Sequence, residues 1–250
     1  MLQKLFNLHG KRALVTGSSR GIGYAAAMVL AEAGAQVIFH ASKPSEKLDA
    51  VLAEAHAKGF SGEAVAADIS TTEGLEKLIA AVVAVDILVL NASAQAYMTV
   101  ENFDAEEFER EYRTNVKSTF ELVKAFLPGM RERRFGRIIA LGSVNQHRPS
   151  PRLVVYAGTK AAQANLILGL ARENAAFGIT ANNVAPGVIT TDRNSAVLSD
   201  AKKAEEIRKV IPAGRFGTAE DCAGLILLLA SEAGSYITGE DITIDGGMHL

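Results

Sequence analysis

A single cysteine, Cys222, leaves the 250-residue chain unable to form an internal disulfide, and no Cys/His cluster offers zinc-ligand spacing. Cys222 opens an apolar run of helical character and reads as a packing residue. An excess of one charge is missing too. With 26 basic residues against 28 acidic ones, the net charge of −2 implies no general affinity for nucleic acid or an anionic membrane. No apolar span reaches the roughly 18 residues of a membrane helix. The first ten residues contain no uninterrupted apolar core of signal-peptide length. The expected setting is soluble and cytoplasmic, and the sequon Asn91-Ala92-Ser93 then reads as coincidence. Linkers, internal repeats and low-complexity stretches are also lacking, so nothing divides the chain.

What is present is an alternation of β-branched runs and helical patterns. Strands are expected at Arg12–Thr16, Gln36–His40, Gly62–Ala66, Asp86–Asn91, Gly136–Leu141, Thr180–Val184 and Asp241–Ile244. Several are apolar without alternation, as in strands buried on both faces. Helices are expected between them at Gly21–Ala33, Ser45–Lys58, Thr72–Val83, Asp104–Met130, Leu153–Phe177 and Thr218–Ala230. The pattern predicts an α/β fold: one doubly wound, Rossmann-type domain over residues 1–250 with a mostly seven-stranded parallel sheet. The irregular stretch of about 186–218, with a short helix near Asp200–Val210, follows a strand's C-terminal end and reads as a substrate-covering loop. The helix from Leu153 is apolar on nearly every face, which predicts a homo-oligomer, specifically a homotetramer.

Thr16-Gly17-Ser18-Ser19-Arg20-Gly21-Ile22-Gly23 follows the first strand and opens a helix. Glycines allow close backbone approach to phosphate, and a helix N-terminus offers free N–H groups and a positive dipole end. The spacing is Gly-x3-Gly-x-Gly, and in this strand–turn–helix context it predicts a dinucleotide phosphate loop. Gly17-x-Ser19-x-Gly21 also fits the nucleophile elbow of α/β hydrolases, with Ser19 as nucleophile. That reading lacks partners: the turn follows the first strand, and the late histidines His147 and His249 lie in no clear catalytic context.

The second strand ends in His40-Ala41-Ser42-Lys43-Pro44, with no acid before Glu46 to bind the ribose hydroxyls of NAD. Arg20, Ser42 and Lys43 instead suit the extra phosphate of NADP, so NADP(H) is expected over NAD(H). Tyr156 and Lys160 stand one helical turn apart, which puts phenol and ammonium on one face. A fixed positive charge lowers a phenol's pKa, and a phenol so poised can pass a proton to or from a substrate oxygen.

Together these motifs resemble the short-chain dehydrogenase/reductase family over nearly the whole chain, from Lys11 to Gly247. The marks are Thr16-Gly17-x3-Gly21-x-Gly23, Asp68, Asn91-Ala92, Asn115, Ser143, Tyr156-x3-Lys160 and Pro186-Gly187 with Thr191. Within the family the chain looks most like the bacterial 3-oxoacyl-carrier-protein reductase and sugar-alcohol dehydrogenase groups.

The resemblance implies that Asp68 and Ile69 border the adenine and that Asn91 and Ala92 line the adenosine side. Pro186 and Gly187 would border the cofactor, Ile189 and Thr191 would hold the nicotinamide carboxamide, and Lys160 its ribose. Ser143, Tyr156, Lys160 and Asn115 form the implied catalytic set, with Asn115 at a disturbed helix turn holding a water that relays protons to Lys160. Hydride would pass between NADP(H) and a ketone or secondary alcohol. An NAD-dependent sugar or polyol dehydrogenase is the alternative, and a non-enzymatic NADP sensor is an alternative of another class.

Two features depart from the family. Ser93 stands where a glycine is usual after the fourth strand, and the stretch Ala80–Asp86 lacks a Phe-Gly step. No metal is expected. The polar stretch between Ser143 and Tyr156 offers Asn145 and Arg152 as substrate contacts and points to a hydroxylated or anionic substrate.

Overall fold

A computed structural model describes residues 1–250, the side chains at positions 196 and 197 excepted. After a short N-terminal helix, α1 (Leu2–Leu5), strands and helices alternate: β1 (Arg12–Val15), α2 (Gly21–Glu32), β2 (Gln36–Ala41), α3 (Glu46–Ala57), β3 (Gly62–Ala66), α4 (Thr72–Ala81) and β4 (Ile87–Leu90). The second half holds α5 (Ala105–Tyr112), α6 (Ser118–Arg133), β5 (Gly136–Leu141), α7 (Val154–Asn174), β6 (Ile179–Pro186), α8 (Ser195–Leu198), α9 (Ala201–Lys209), α10 (Ala219–Ala230) and β7 (Asp241–Ile244). Short polar side chains start the helices as the sequence requires. Ser45 accepts the Leu48 N–H, Thr71 that of Gly74, Asp104 that of Glu107, and Thr218 forms a capping box with Asp221.

The seven strands pair in the order β3-β2-β1-β4-β5-β6-β7, all parallel. Alternate residues feed two cores. Ala13, Val15, Ile87 and Val89 pack with α2, α3 and α10, while Leu14, Leu88 and Leu90 pack with α4, α6 and α7. This two-sided burial explains why the strands read as unbroken apolar runs. The chain reverses its direction across the sheet between β1 and β4, which opens a crevice at the strands' C-terminal ends.

Two expected boundaries shift. β6 runs on to Pro186 because its end still pairs with β7, Pro186 opposite Ile244. The helix expected over Asp104–Met130 is interrupted by a π-helical turn, Arg113–Lys117, and α6 then continues to Arg133. That turn brings Asn115 inward. The excursion after Pro186 is tied at its base, where Thr190 N–H donates to the Gly217 carbonyl (2.8 Å) and Gly217 N–H to that of Val188 (3.0 Å). Among the described residues, no helix is long and apolar enough to cross a membrane, and no cluster of His, Cys, Asp or Glu could hold a metal ion.

Leu88 lies in the central strand β4 and is fully buried. Leu88→Ala is expected to lower the unfolding free energy by about 2–5 kcal/mol, read as a shifted urea midpoint at unchanged slope.

Candidate active site

The turn between β1 and α2 depends on glycine at two points. Gly17 has φ 66°, and a Cβ there would meet the Ala92 Cα at 3.0 Å. A Cβ on Gly23 would fall 2.4 Å from both Asn91 Nδ2 and the Gly17 carbonyl oxygen. The space is closed because Asn91 Nδ2 donates to the carbonyls of Thr16 (2.8 Å) and Gly17 (3.0 Å). Thr16 Oγ1 in turn accepts the N–H groups of Asn91 and Ala92, both at 3.0 Å. His40 completes the frame. Its Nδ1 accepts the Gly17 N–H (3.1 Å), which puts the proton on Nε2, where it is donated to the Ala67 carbonyl (2.9 Å). Burial pushes the His40 pKa down to about 4, so the ring is neutral.

A cavity of about 1000 Å³ follows the C-terminal strand ends. Of the residues singled out from the sequence, Gly17, Ser19, Arg20, Gly21, Ile22, Gly23, Ser42, Asp68, Ile69, Asn91 and Ala92 line one end. Ser143, Asn145, Tyr156, Pro186, Gly187, Ile189 and Thr191 line the rest. Four do not face it. Lys43 is exposed outside the lining, and Arg152 turns its guanidinium to the Tyr97 carbonyl (3.4 Å). Lys160 and Asn115 are buried behind the wall. Arg20 in the lining and Lys47 outside it both reach Asp192 Oδ2 (3.3 and 3.0 Å). Their contacts hold the Asp192 carboxyl below its ordinary range, Lys47 more than Arg20.

Tyr156 and Lys160 project from the same face of α7, with Nζ 5.8 Å from the centre of the phenol ring. The electrostatics differ from the simple expectation of a phenol lowered by its neighbouring ammonium. Burial raises the Tyr156 pKa, opposed by the charge of Arg193 and by a hydrogen bond with Ser143. Burial, helped by the same Arg193 charge, lowers Lys160 to about 7. The ammonium itself donates to the Leu141 carbonyl (2.6 Å) and to Gln163 Oε1 (3.0 Å). Desolvation therefore outweighs pair attraction for both groups.

Asn115 braces this arrangement. Its Oδ1 accepts the Ala94 N–H (2.8 Å), and its Nδ2 donates to the Ala94 carbonyl and to Thr159 Oγ1 (2.9 Å each). Its backbone carbonyl accepts from Thr119 Oγ1 (3.0 Å), which accepts from Gln163 Nε2 (2.8 Å). Thr119 and Gln163 thus connect Asn115 to Lys160. Thr119 and Gln163 carry no recognisable motif, and only the packing of α6 against α7 reveals them.

Other residues missed from the sequence border the site. Arg193 donates from Nη1 to Ser93 Oγ (2.8 Å) and from Nη2 to the Ser93 carbonyl (2.9 Å), so the unusual Ser93 is engaged by a guanidinium. Glu111 is fully buried, with Oε1 accepting the Ala96 N–H (2.5 Å) and Oε2 without a partner, and burial raises its pKa. Tyr97, Arg148, Met248 and His249 close the far end. The hydrolase reading finds no support, because His147 faces Asp241 (3.1 Å) and His249 faces Asp245 (3.0 Å), leaving Ser19 without a base.

A doubly wound parallel sheet with this turn at its switch point, and Ser143 and Tyr156 in the cleft below, defines a dinucleotide-binding α/β protein. The family model described as enoyl-(acyl carrier protein) reductase matches residues 17–249, and the chain belongs to the short-chain dehydrogenase/reductase family. It is 40% identical to the 3-oxoacyl-[acyl-carrier-protein] reductase FabG of Vibrio cholerae, over 98% of this chain and 99% of that protein. Among solved structures, a 3-oxoacyl (acyl-carrier-protein) reductase of Agrobacterium tumefaciens with NADP bound is 42% identical. Its TM-score is 0.94, over 99% of this chain and 97% of that one. A gluconate 5-dehydrogenase of Burkholderia cenocepacia in complex with NADP and tartrate is 33% identical at a TM-score of 0.91, over 99% and 98% of the two chains.

The buried His40 makes stability depend on pH. Its folded pKa of about 4 lies below the unfolded value of about 6.5. Its contribution is complete above pH 6.5 and is lost as the pH falls toward 4, because the unfolded chain takes up the proton first. In His40→Gln, the stability difference between pH 7 and pH 4.5 is expected to shrink by about 2 kcal/mol, measured by urea unfolding at the two pH values.

Proposed function

We propose that the chain is an NADP(H)-dependent oxidoreductase that interconverts a ketone and a secondary alcohol, with Tyr156 as general acid and base. The observation that carries this reading is the phenol of Tyr156 on the cavity wall, hydrogen-bonded with Ser143 and with Lys160 buried behind it. The cavity suits the cofactor. The glycine turn and the N-terminus of α2 open onto it, and Arg20 stands in its lining. When bound, the cofactor supplies hydride to a carbonyl carbon or takes it from the alcohol.

The chain's own residues handle the oxygen. Ser143 Oγ accepts from Asn145 N–H (3.2 Å) and Nδ2 (3.3 Å), so its single O–H is the donor that meets Tyr156 and, once substrate is bound, the substrate oxygen. Tyr156 delivers the proton in reduction and removes it in oxidation. An ordinary phenol titrates near pH 10, so service near neutrality needs a shift of about three units, or about 4 kcal/mol. Burial opposes that shift, and the charge of Arg193 and the Ser143 hydrogen bond favour it. Lys160, which burial lowers to about 7, is held in place by the Leu141 carbonyl and Gln163.

The choice of NADP(H) rests on Arg20, Ser42 and the missing acid after β2, and on the NADP-bound relatives. A sugar or polyol dehydrogenase is the second reading, supported by the hydroxyl- and arginine-rich far end and the likeness to a gluconate 5-dehydrogenase. Outward-facing apolar side chains on α5, α6 and α7 (Phe108, Phe120, Val154 and Leu168) support assembly with further copies, a homotetramer.

Tyr156→Phe is expected to lower kcat by about a thousandfold or more while NADPH binding, followed by fluorescence, is retained. Wild-type turnover in that variant would refute the assignment. NADPH is expected to exceed NADH in kcat/KM by about tenfold or more, followed as absorbance loss over a ketone panel. Light scattering at micromolar concentration is expected to give a tetrameric mass, and a monomeric mass would remove the assembly reading.

A further inference from the structure

Four arginines line the cavity, and they differ in what holds them. Arg20 is paired with Asp192, and Arg110 with Glu107. Arg193 and Arg148 are held by neutral acceptors, Arg193 by the hydroxyl and carbonyl of Ser93, and Arg148 by the Met248 carbonyl (2.6 Å). Among the described residues, neither has a carboxylate within ion-pair distance. Neutral acceptors fix a guanidinium in place without cancelling its charge, and the fork keeps N–H groups for an incoming anion.

Arg193 is also placed beside the chemistry. It sits on the 3-10 turn Asp192–Asn194, pinned by Asn194 Nδ2 to the Ile189 carbonyl (2.7 Å) and by Asp192 to Arg20 and Lys47. Its charge acts on Tyr156 and Lys160 alike. Glu111 feels that charge but makes no ion pair with it. An uncompensated, pre-positioned cation in a substrate cavity selects for negative charge on the substrate.

We propose that Arg193, braced by Ser93, binds an anionic group of the substrate, which is therefore a small hydroxylated carboxylate. This rests on the oxidoreductase reading above and narrows its substrate class. Arg148 is a second cation in the lining, and Tyr97 and Ser150 offer hydroxyls for the substrate's own. The role assigned from the sequence to Arg152 thereby passes to Arg193, because Arg152 stands outside the cavity lining.

The test is calorimetry on the full chain loaded with NADP+, titrated with glycerate, tartrate and gluconate and with the uncharged glycerol, threitol and glucitol. At least one carboxylate is expected to bind more tightly than its polyol by about ten- to hundredfold. Arg193→Met should abolish that preference while leaving polyol affinity and NADP+ uptake unchanged, and Arg193→Lys should restore part of it. A role confined to anchoring the loop would weaken acid and polyol equally. Carboxylates binding no better than polyols, or an unchanged preference in Arg193→Met, would overturn the proposal and leave the oxidoreductase reading standing. Failure of the wild-type chain to take up NADP+ would overturn both. Should Arg193→Met fail to take up NADP+, Ser93→Gly decides the matter: a reduced preference for the carboxylate supports the brace, and an unchanged one overturns it.

Discussion

Parallel strands that part at a switch point must leave a gap, and a gap between backbones is stable only if its polar groups find partners. Here two side chains meet that demand. Thr16 and Asn91, at the ends of β1 and β4, exchange bonds with each other's backbone and with Gly17. The rest of the site takes its position from this junction. It sets the path of the glycine turn, and with that the direction of α2. It also fixes the start of the segment that carries Ser93, Ala94 and Ala96, which meet Arg193, Asn115 and Glu111. His40 ties the same turn to the ends of β2 and β3, so four strands bear on one loop.

The second constraint is burial of charge. Lys160 and Tyr156 are both buried, and each is moved toward its neutral form. Such groups persist in a core only where hydrogen bonds satisfy them. The chain from Asn115 through Thr119 and Gln163 does so for Lys160, and the π-helical turn presents Asn115 for the purpose. A regular helix through residues 113–117 would turn that side chain to a different angle. A local departure from helical regularity thus stabilises a charged group two helices away.

The sequence shows some of this directly and hides the rest for physical reasons. Strand runs such as Ile87–Leu90 announce themselves because both faces are buried, and the spacing of Tyr156 and Lys160 places them on one helical face. The glycine turn is legible because steric exclusion permits few residue types at Gly17 and Gly23. Arg193 and Ser93 are not legible as a pair. They lie a hundred residues apart, and an arginine in a polar loop reads as solvated. Lys43 was the more conspicuous cation beside β2, yet side-chain direction on α3 puts Lys47 in contact with Asp192. The pKa directions are hidden too, because desolvation depends on packing that no local pattern records.

Asp192 and Arg193 are consecutive residues on one short turn, and they reach in opposite directions. One is tied to the glycine-turn side through Arg20 and Lys47, the other to the Ser93 side of the cavity. A short turn anchored on both sides fixes the distance between the glycine-turn side and the Ser93 side of the cavity, so the two halves share one strut.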